Sequence, residues 1–192
     1  MPVNIPILLT WLRIVMIPLM IAVFYVPESW LHDIGRNLAA TLIFVVAAVT
    51  DWLDGYLARR WNQTSAFGAF LDPVADKLVV AAALIMLVQL GRLDAILAAI
   101  IIGREITISA LREWMAQIGA HKSIAVSMIG KIKTVAQMVA VPLLLYHSPI
   151  HGFDIQNLGT WLIYIAAVLT LWSMGYYMRM AWPHLAEQDR KR

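Results

Sequence analysis

Long apolar runs alternate with short polar connections along almost the whole chain. A helix crosses the hydrocarbon core of a bilayer with about 20 mostly apolar residues, each adding about 1.5 Å of rise. Six stretches meet that length, at 6–26, 34–61, 68–90, 93–117, 123–146 and 157–180. Asn4-Ile5-Pro6 opens the first of them, and Pro6 suits an opening helical turn. A cleaved signal peptide is not expected: the extreme N-terminus has no basic residues, and no small-residue cleavage site follows. No internal repeat or low-complexity linker divides the chain, so the pattern predicts one domain over 1–192. The expected fold is an all-α, six-transmembrane-helix bundle.

Composition strengthens that reading. Of 192 residues, 61% are hydrophobic and 14% charged, against roughly half and a quarter in soluble domains. So much apolar surface exceeds what one small core can bury, and the excess must face lipid. Eight Trp residues fit the same picture, because indole rings favour the bilayer interface.

Basic residues then orient the bundle. The connections at 27–34, 91–93 and 147–156 carry only Arg92, with Arg36 just inside the second span. The opposite side holds Arg59, Arg60, Lys122, Arg179, Arg190, Lys191 and Arg192. The positive-inside rule makes that second side, with both termini, cytoplasmic. The terminal Arg-Lys-Arg also suits contact with anionic membrane lipids. With no Cys, disulfides and thiolate sites are excluded. His147 and His151 flank Pro149 in a loop and form no metal-ligand cluster.

Candidate chemistry lies in the second and third spans. Asp51, Asp54, Asp72 and Asp76 all fall in apolar, helix-like sequence, where each charge costs at least ~2.5 kcal/mol at mid-bilayer. Asp51 and Asp54 stand three apart and share a helix face, which Gly55 and Ala58 leave nearly bare and Arg59 borders. Gly68, Asp72 and Asp76 recur every four residues, again on one face. A short cytoplasmic turn at 62–67 makes the two helices antiparallel neighbours, so their carboxylates can converge just inside the interface. Hard oxygen ligands suit Mg²⁺ or Mn²⁺, and four carboxylates can hold two ions in the manner of phosphoryl-transfer sites. Gly55 and Gly68 allow a ligand close to the backbone, and Arg59 can grip a phosphate with two N–H groups. A single such Asp is as readily a cap or a salt-bridge partner. Four of them, with two glycines and an arginine, read as a site for a phosphate-bearing substrate.

Asp51-Trp52-Leu53-Asp54-Gly55-Tyr56-Leu57-Ala58-Arg59, followed by Gly68, Asp72 and Asp76, resembles the signature of the CDP-alcohol phosphatidyltransferase family at all eight of its fixed positions. The rest of the chain is similar to the bacterial branch that uses glycerol 3-phosphate. The likeness includes Asn4-Ile5-Pro6, Leu9-Thr10, Arg13, Arg104-Glu105, Leu111-Arg112-Glu113-Trp114 and Gly130-Lys131-Ile132-Lys133-Thr134. The resemblance implies a six-helix, usually homodimeric enzyme of the bacterial inner membrane. Its substrates would be CDP-diacylglycerol and sn-glycerol 3-phosphate, and its products phosphatidylglycerol phosphate and CMP. It further implies Asp51, Asp54 and Asp72 as main metal ligands, and Asp76 as both ligand to the second ion and general base. Gly55, Ala58, Arg59 and Gly68 would receive the cytidine diphosphate portion.

An acceptor phosphate needs cationic donors, and Arg104, Arg112, Lys131 and Lys133 are the supply. Glu105, Ser109 and Arg112 lie near one face, while Lys131 and Lys133 are about 200° apart on an ideal helix. Snorkelling to headgroups is the plainer role for each cation. Glu105 and Glu113 are read as organisers of the arginines. Thr10 and Arg13 line the site or merely anchor the first helix, and the sixth span is expected to be structural. Two rival readings are another acceptor alcohol within the family and an ion or metal transporter. Against the transporter, the acids cluster at one interface and not at the midplane. Nothing points to nucleic acid as a partner.

Overall fold

The computed structural model describes residues 5–61, 66–118, 128–149 and 152–189. Among them are six α-helices and no β-sheet: α1 (Ile5–Val23), α2 (Asp33–Trp61), α3 (Ala66–Gln89), α4 (Ala95–Gln117), α5 (Met128–Tyr146) and α6 (Ile155–Asp189). The expected six helices are present, with shifted ends. The first helix stops at Val23 and closes with tight turns, Phe24 N–H donating to Ile21 O and Tyr25 N–H to Ala22 O, ahead of Pro27. The last runs on to Asp189, well past 180. Residues 123–127, assigned above to the fifth span, lie outside the described residues.

Caps set the other boundaries. Gly91, at φ 68°, lets α3 end in a Schellman turn: Arg92 N–H bonds Leu87 O at 2.9 Å and Gly91 N–H bonds Val88 O at 3.0 Å. Asp94 starts α4 by accepting from Ile96 N–H at 2.7 Å. α5 ends at His147, at φ 55°, whose N–H reaches Leu143 O at 3.1 Å. Burial, then the nearby charge of Arg92, holds the His147 imidazole below its usual pKa.

α1 packs on α2 and α3, α5 on α6 and α2, and α4 on α6 and α3. Met20, Phe44, Leu84, Leu87, Ile101, Leu144, Leu145 and Ile163 fill the shared interior. Small residues let the helices close up, as at Gly159, where a Cβ would stand 3.0 Å from Leu144 Cγ. The outer surface is the reverse of a soluble protein's, with Val15, Ile85, Trp161, Val168, Trp172 and Trp182 all more than half exposed. Asp33–Leu57 and Ile155–Trp182 are long and apolar enough to cross a membrane, and Ile7–Val23 and Ile132–Tyr146 are shorter apolar helices. α3 and α4 are interrupted by charges, among them Asp72, Asp76, Arg104, Glu105 and Arg112.

Candidate active site

The starts of α1 and α3 and the end of α2 lie at one end of the bundle. Counted inward at ~1.5 Å per residue, Thr10, Asp54 and Asp72 lie roughly 8–10 Å from their helix ends, and Arg13, Asp51 and Asp76 roughly 12–15 Å. The contacts follow this register. Arg13 spans two carboxylates, with Nη1 at 2.7 Å from Asp51 Oδ1 and Nη2 paired with Asp54 Oδ2. Thr10 Oγ1 donates to Asp72 Oδ1. Thr10 and Arg13 are wholly buried, Asp54 is 3% exposed, and Asp51 keeps 38% of its side chain exposed. The site therefore opens past Asp51, with α1 as its floor.

A second polar cluster joins α4, α5 and α6. Glu105 Oε1 accepts from Arg104 Nη1 at 3.3 Å and pairs with Lys133 Nζ. Arg104 Nη2 donates to Ser173 Oγ at 3.0 Å. Arg104 and Lys133 are buried, whereas Arg112 is exposed with its guanidinium 5.5 Å from the centre of the Tyr177 ring. Asp76 follows Asp72 by one turn of α3 and has the charges of Asp51, Arg13 and Glu105 acting on it.

This constellation sits within a sequence that has close relatives. The family model described as CDP-alcohol phosphatidyltransferase matches residues 3–172. The chain belongs to the CDP-alcohol phosphatidyltransferase family. Two similar proteins, from Shigella flexneri serotype 5b (strain 8401) and Escherichia coli (strain K12), are each 52% identical over 190 residues. That alignment covers 98% of this chain and 100% of each relative. Both are named CDP-diacylglycerol–glycerol-3-phosphate 3-phosphatidyltransferase. The chain is thus an enzyme, a phosphatidyltransferase.

In this phosphatidyltransferase, Asp51, Asp54 and Asp72 gather around α1. Gly68 is buried on α3, and Gly55 half-buried on α2. The side chains of Ala58, Arg59 and Lys131 lie outside the described residues. Of the four cations expected around an acceptor phosphate, Arg104 and Lys133 meet at Glu105, and Arg112 stands nearer the surface. Glu105 pairs with both buried cations, while Glu113 is exposed. The sixth helix does more than the sequence reading assigned to it, since Ser173 and Tyr177 touch the arginines. Thr170, Ser173 and Tyr177, at i, i+3 and i+7, are all buried within the largely apolar middle of α6. That polar stripe was a signal legible in the sequence.

The donor set suits a divalent cation in chemistry: four carboxylates, with one buried arginine to offset one of their charges. Among the described residues, however, no three His, Cys, Asp or Glu side chains converge closely enough to form a finished metal cage. Asp51 and Asp54 turn toward Arg13, and Asp72 toward Thr10. Each of these carboxylates has a second oxygen that neither Arg13 nor Thr10 engages.

Proposed function

We propose that this enzyme transfers the phosphatidyl group of CDP-diacylglycerol to sn-glycerol 3-phosphate, releasing phosphatidylglycerol phosphate and CMP. The observation that carries the reading is a carboxylate cluster, Asp51, Asp54 and Asp72, and a cationic one, Arg104 and Lys133 at Glu105, with the charge of Asp76 coupled to Asp51 and Arg13 of the first and to Glu105 of the second. A donor diphosphate drawn to the first and an acceptor phosphate held by the second would meet at Asp76. The choice of acceptor rests on end-to-end similarity to relatives named for glycerol 3-phosphate.

In this mechanism Arg104 and Lys133 hold the acceptor phosphate, with Arg112 at the entrance. Asp76 takes the proton of the acceptor hydroxyl. The freed oxygen attacks the phosphorus bearing the diacylglycerol, and the bond from that phosphorus to the bridging oxygen breaks, with CMP leaving. Asp51, Asp54, Asp72 and Asp76 would hold two Mg²⁺ or Mn²⁺ ions, which supply charge neutralisation at the diphosphate. Gly55, Ala58, Arg59 and Gly68 line the nucleotide end.

All six helices span the bilayer in this reading, which places both termini and the site on the cytoplasmic side of a bacterial inner membrane. The exposed apolar belt and the two spanning-length helices support it. The family resemblance also suggests a homodimer. Purified protein given CDP-diacylglycerol and a panel of acceptors should release CMP with glycerol 3-phosphate. Chelation should abolish release, and Mg²⁺ or Mn²⁺ should restore it. Asp76→Asn should lose turnover while still binding metal. Equal CMP release with serine or inositol phosphate would overturn the acceptor, and near-normal turnover of Asp76→Asn the base. Metal flux through proteoliposomes without CMP release would favour a transporter.

A further inference from the structure

We propose that Thr10 and Arg13 of α1 are positioning residues, which aim the α2 and α3 carboxylates for cation binding; this rests on the metal-dependent reading above. Three observations carry it. First, both side chains are wholly buried on the floor of the carboxylate cluster, where a polar group is costly unless it is paired. Their spacing of three puts them on one face of α1, level with the acids they meet.

Second, the pairings reach across helices. Thr41, Thr107 and Thr160 each donate to the carbonyl four residues back in their own helix, the ordinary outlet for a helical threonine. Thr10 sends its hydroxyl to Asp72, 62 positions away on α3. Arg13 meets Asp51 and Asp54, so one helix engages all three carboxylates.

Third, the engagement is partial. α1 engages Oδ1 of Asp51, Oδ2 of Asp54 and Oδ1 of Asp72. A carboxylate held by one oxygen has lost most of its rotational freedom, yet retains lone pairs for a metal. Outer partners that orient metal ligands in this way raise the ligands' effectiveness. Arg13 suits the task because its Nη2 hydrogen-bonds Asp54 while its Nη1 faces Asp51 as an ion pair, two contacts from one planar group that a lysine's point charge does not reproduce.

The sign of the effect distinguishes positioning from simple charge balance. Removing the Arg13 charge makes the site more negative, and charge alone would then tighten cation binding. Loss of orientation weakens it. The test titrates the purified full-length chain in detergent with Mn²⁺, reading free Mn²⁺ by electron paramagnetic resonance without lipid substrate. Arg13→Gln should bind Mn²⁺ about 10- to 100-fold more weakly, the range seen when such partners are removed. Thr10→Val should weaken binding in the same direction, and Thr10→Ser, which keeps the hydroxyl, should bind like the unaltered chain. Should Arg13→Gln fail to fold, the Thr10→Val and Thr10→Ser pair decides. Binding as tight as, or tighter than, the unaltered chain in Thr10→Val and any folded Arg13→Gln overturns the proposal. An unaltered chain that binds no Mn²⁺ overturns the metal reading as well.

Discussion

Glu105 shows how one side chain can set the state of a binding cluster. It pairs with two buried cations, Arg104 and Lys133, that would otherwise repel each other. Glu105→Gln leaves both without their anion, and breaking buried pairs of this kind costs roughly 3 kcal/mol. The variant should melt at a lower temperature. Because an acceptor dianion would supply the missing charge, glycerol 3-phosphate should recover a larger share of that loss than it adds to the unaltered protein. Thermal denaturation with and without the ligand checks this, and equal stabilisation of both proteins would remove the acceptor phosphate from this cluster. The sequence marked these cations as candidates by residue type and by family likeness. It did not order them. Lys133 turns inward and Arg112 remains exposed because of the rotation of α4 and α5 about their axes, which only packing sets.

At the level of elements, the end of the bundle opposite the site is held by Arg92. Its Nη1 donates to Leu145 O at 2.7 Å, and its Nη2 to Asn37 Oδ1 at 2.8 Å. One side chain thus caps the last turn of α5 and ties it to α2 and to the turn between α3 and α4. Arg92→Ala should destabilise the fold by about 1–3 kcal/mol, read as a lower melting temperature in detergent, with KM for both substrates unchanged. A shift in KM would show that this distant end is coupled to the site. Arg92 was legible as the lone Lys or Arg in the connections of its side, but not as a clamp, because two of its acceptors are the Leu144 and Leu145 carbonyls, which no residue type announces.

Across the whole molecule, the membrane reading makes a prediction that needs no substrate. The chain has no Cys, so single cysteines report on their own location. Trp30→Cys, at a position 83% exposed between α1 and α2, should react in intact cells with a maleimide that cannot cross the inner membrane. Arg60→Cys, exposed at the far end of α2, should react only after permeabilisation; the reverse pattern would invert the orientation. The six helices, their apolar outer faces and the four acids at helical spacing were legible because lipid demands long apolar runs and makes every interruption conspicuous. α3 and α4 illustrate the point: the charges that interrupt them include Asp72, Arg104 and Glu105, which the fold brings into the two clusters. Sequence spacing determined which acids share a face. Only the tertiary structure decided what each acid faces, because Thr10 meets Asp72, and Arg13 meets Asp51 and Asp54, through the packing of α1 against α2 and α3. Periodicity belongs to a single helix, and a contact between helices depends on the rotation and depth of both.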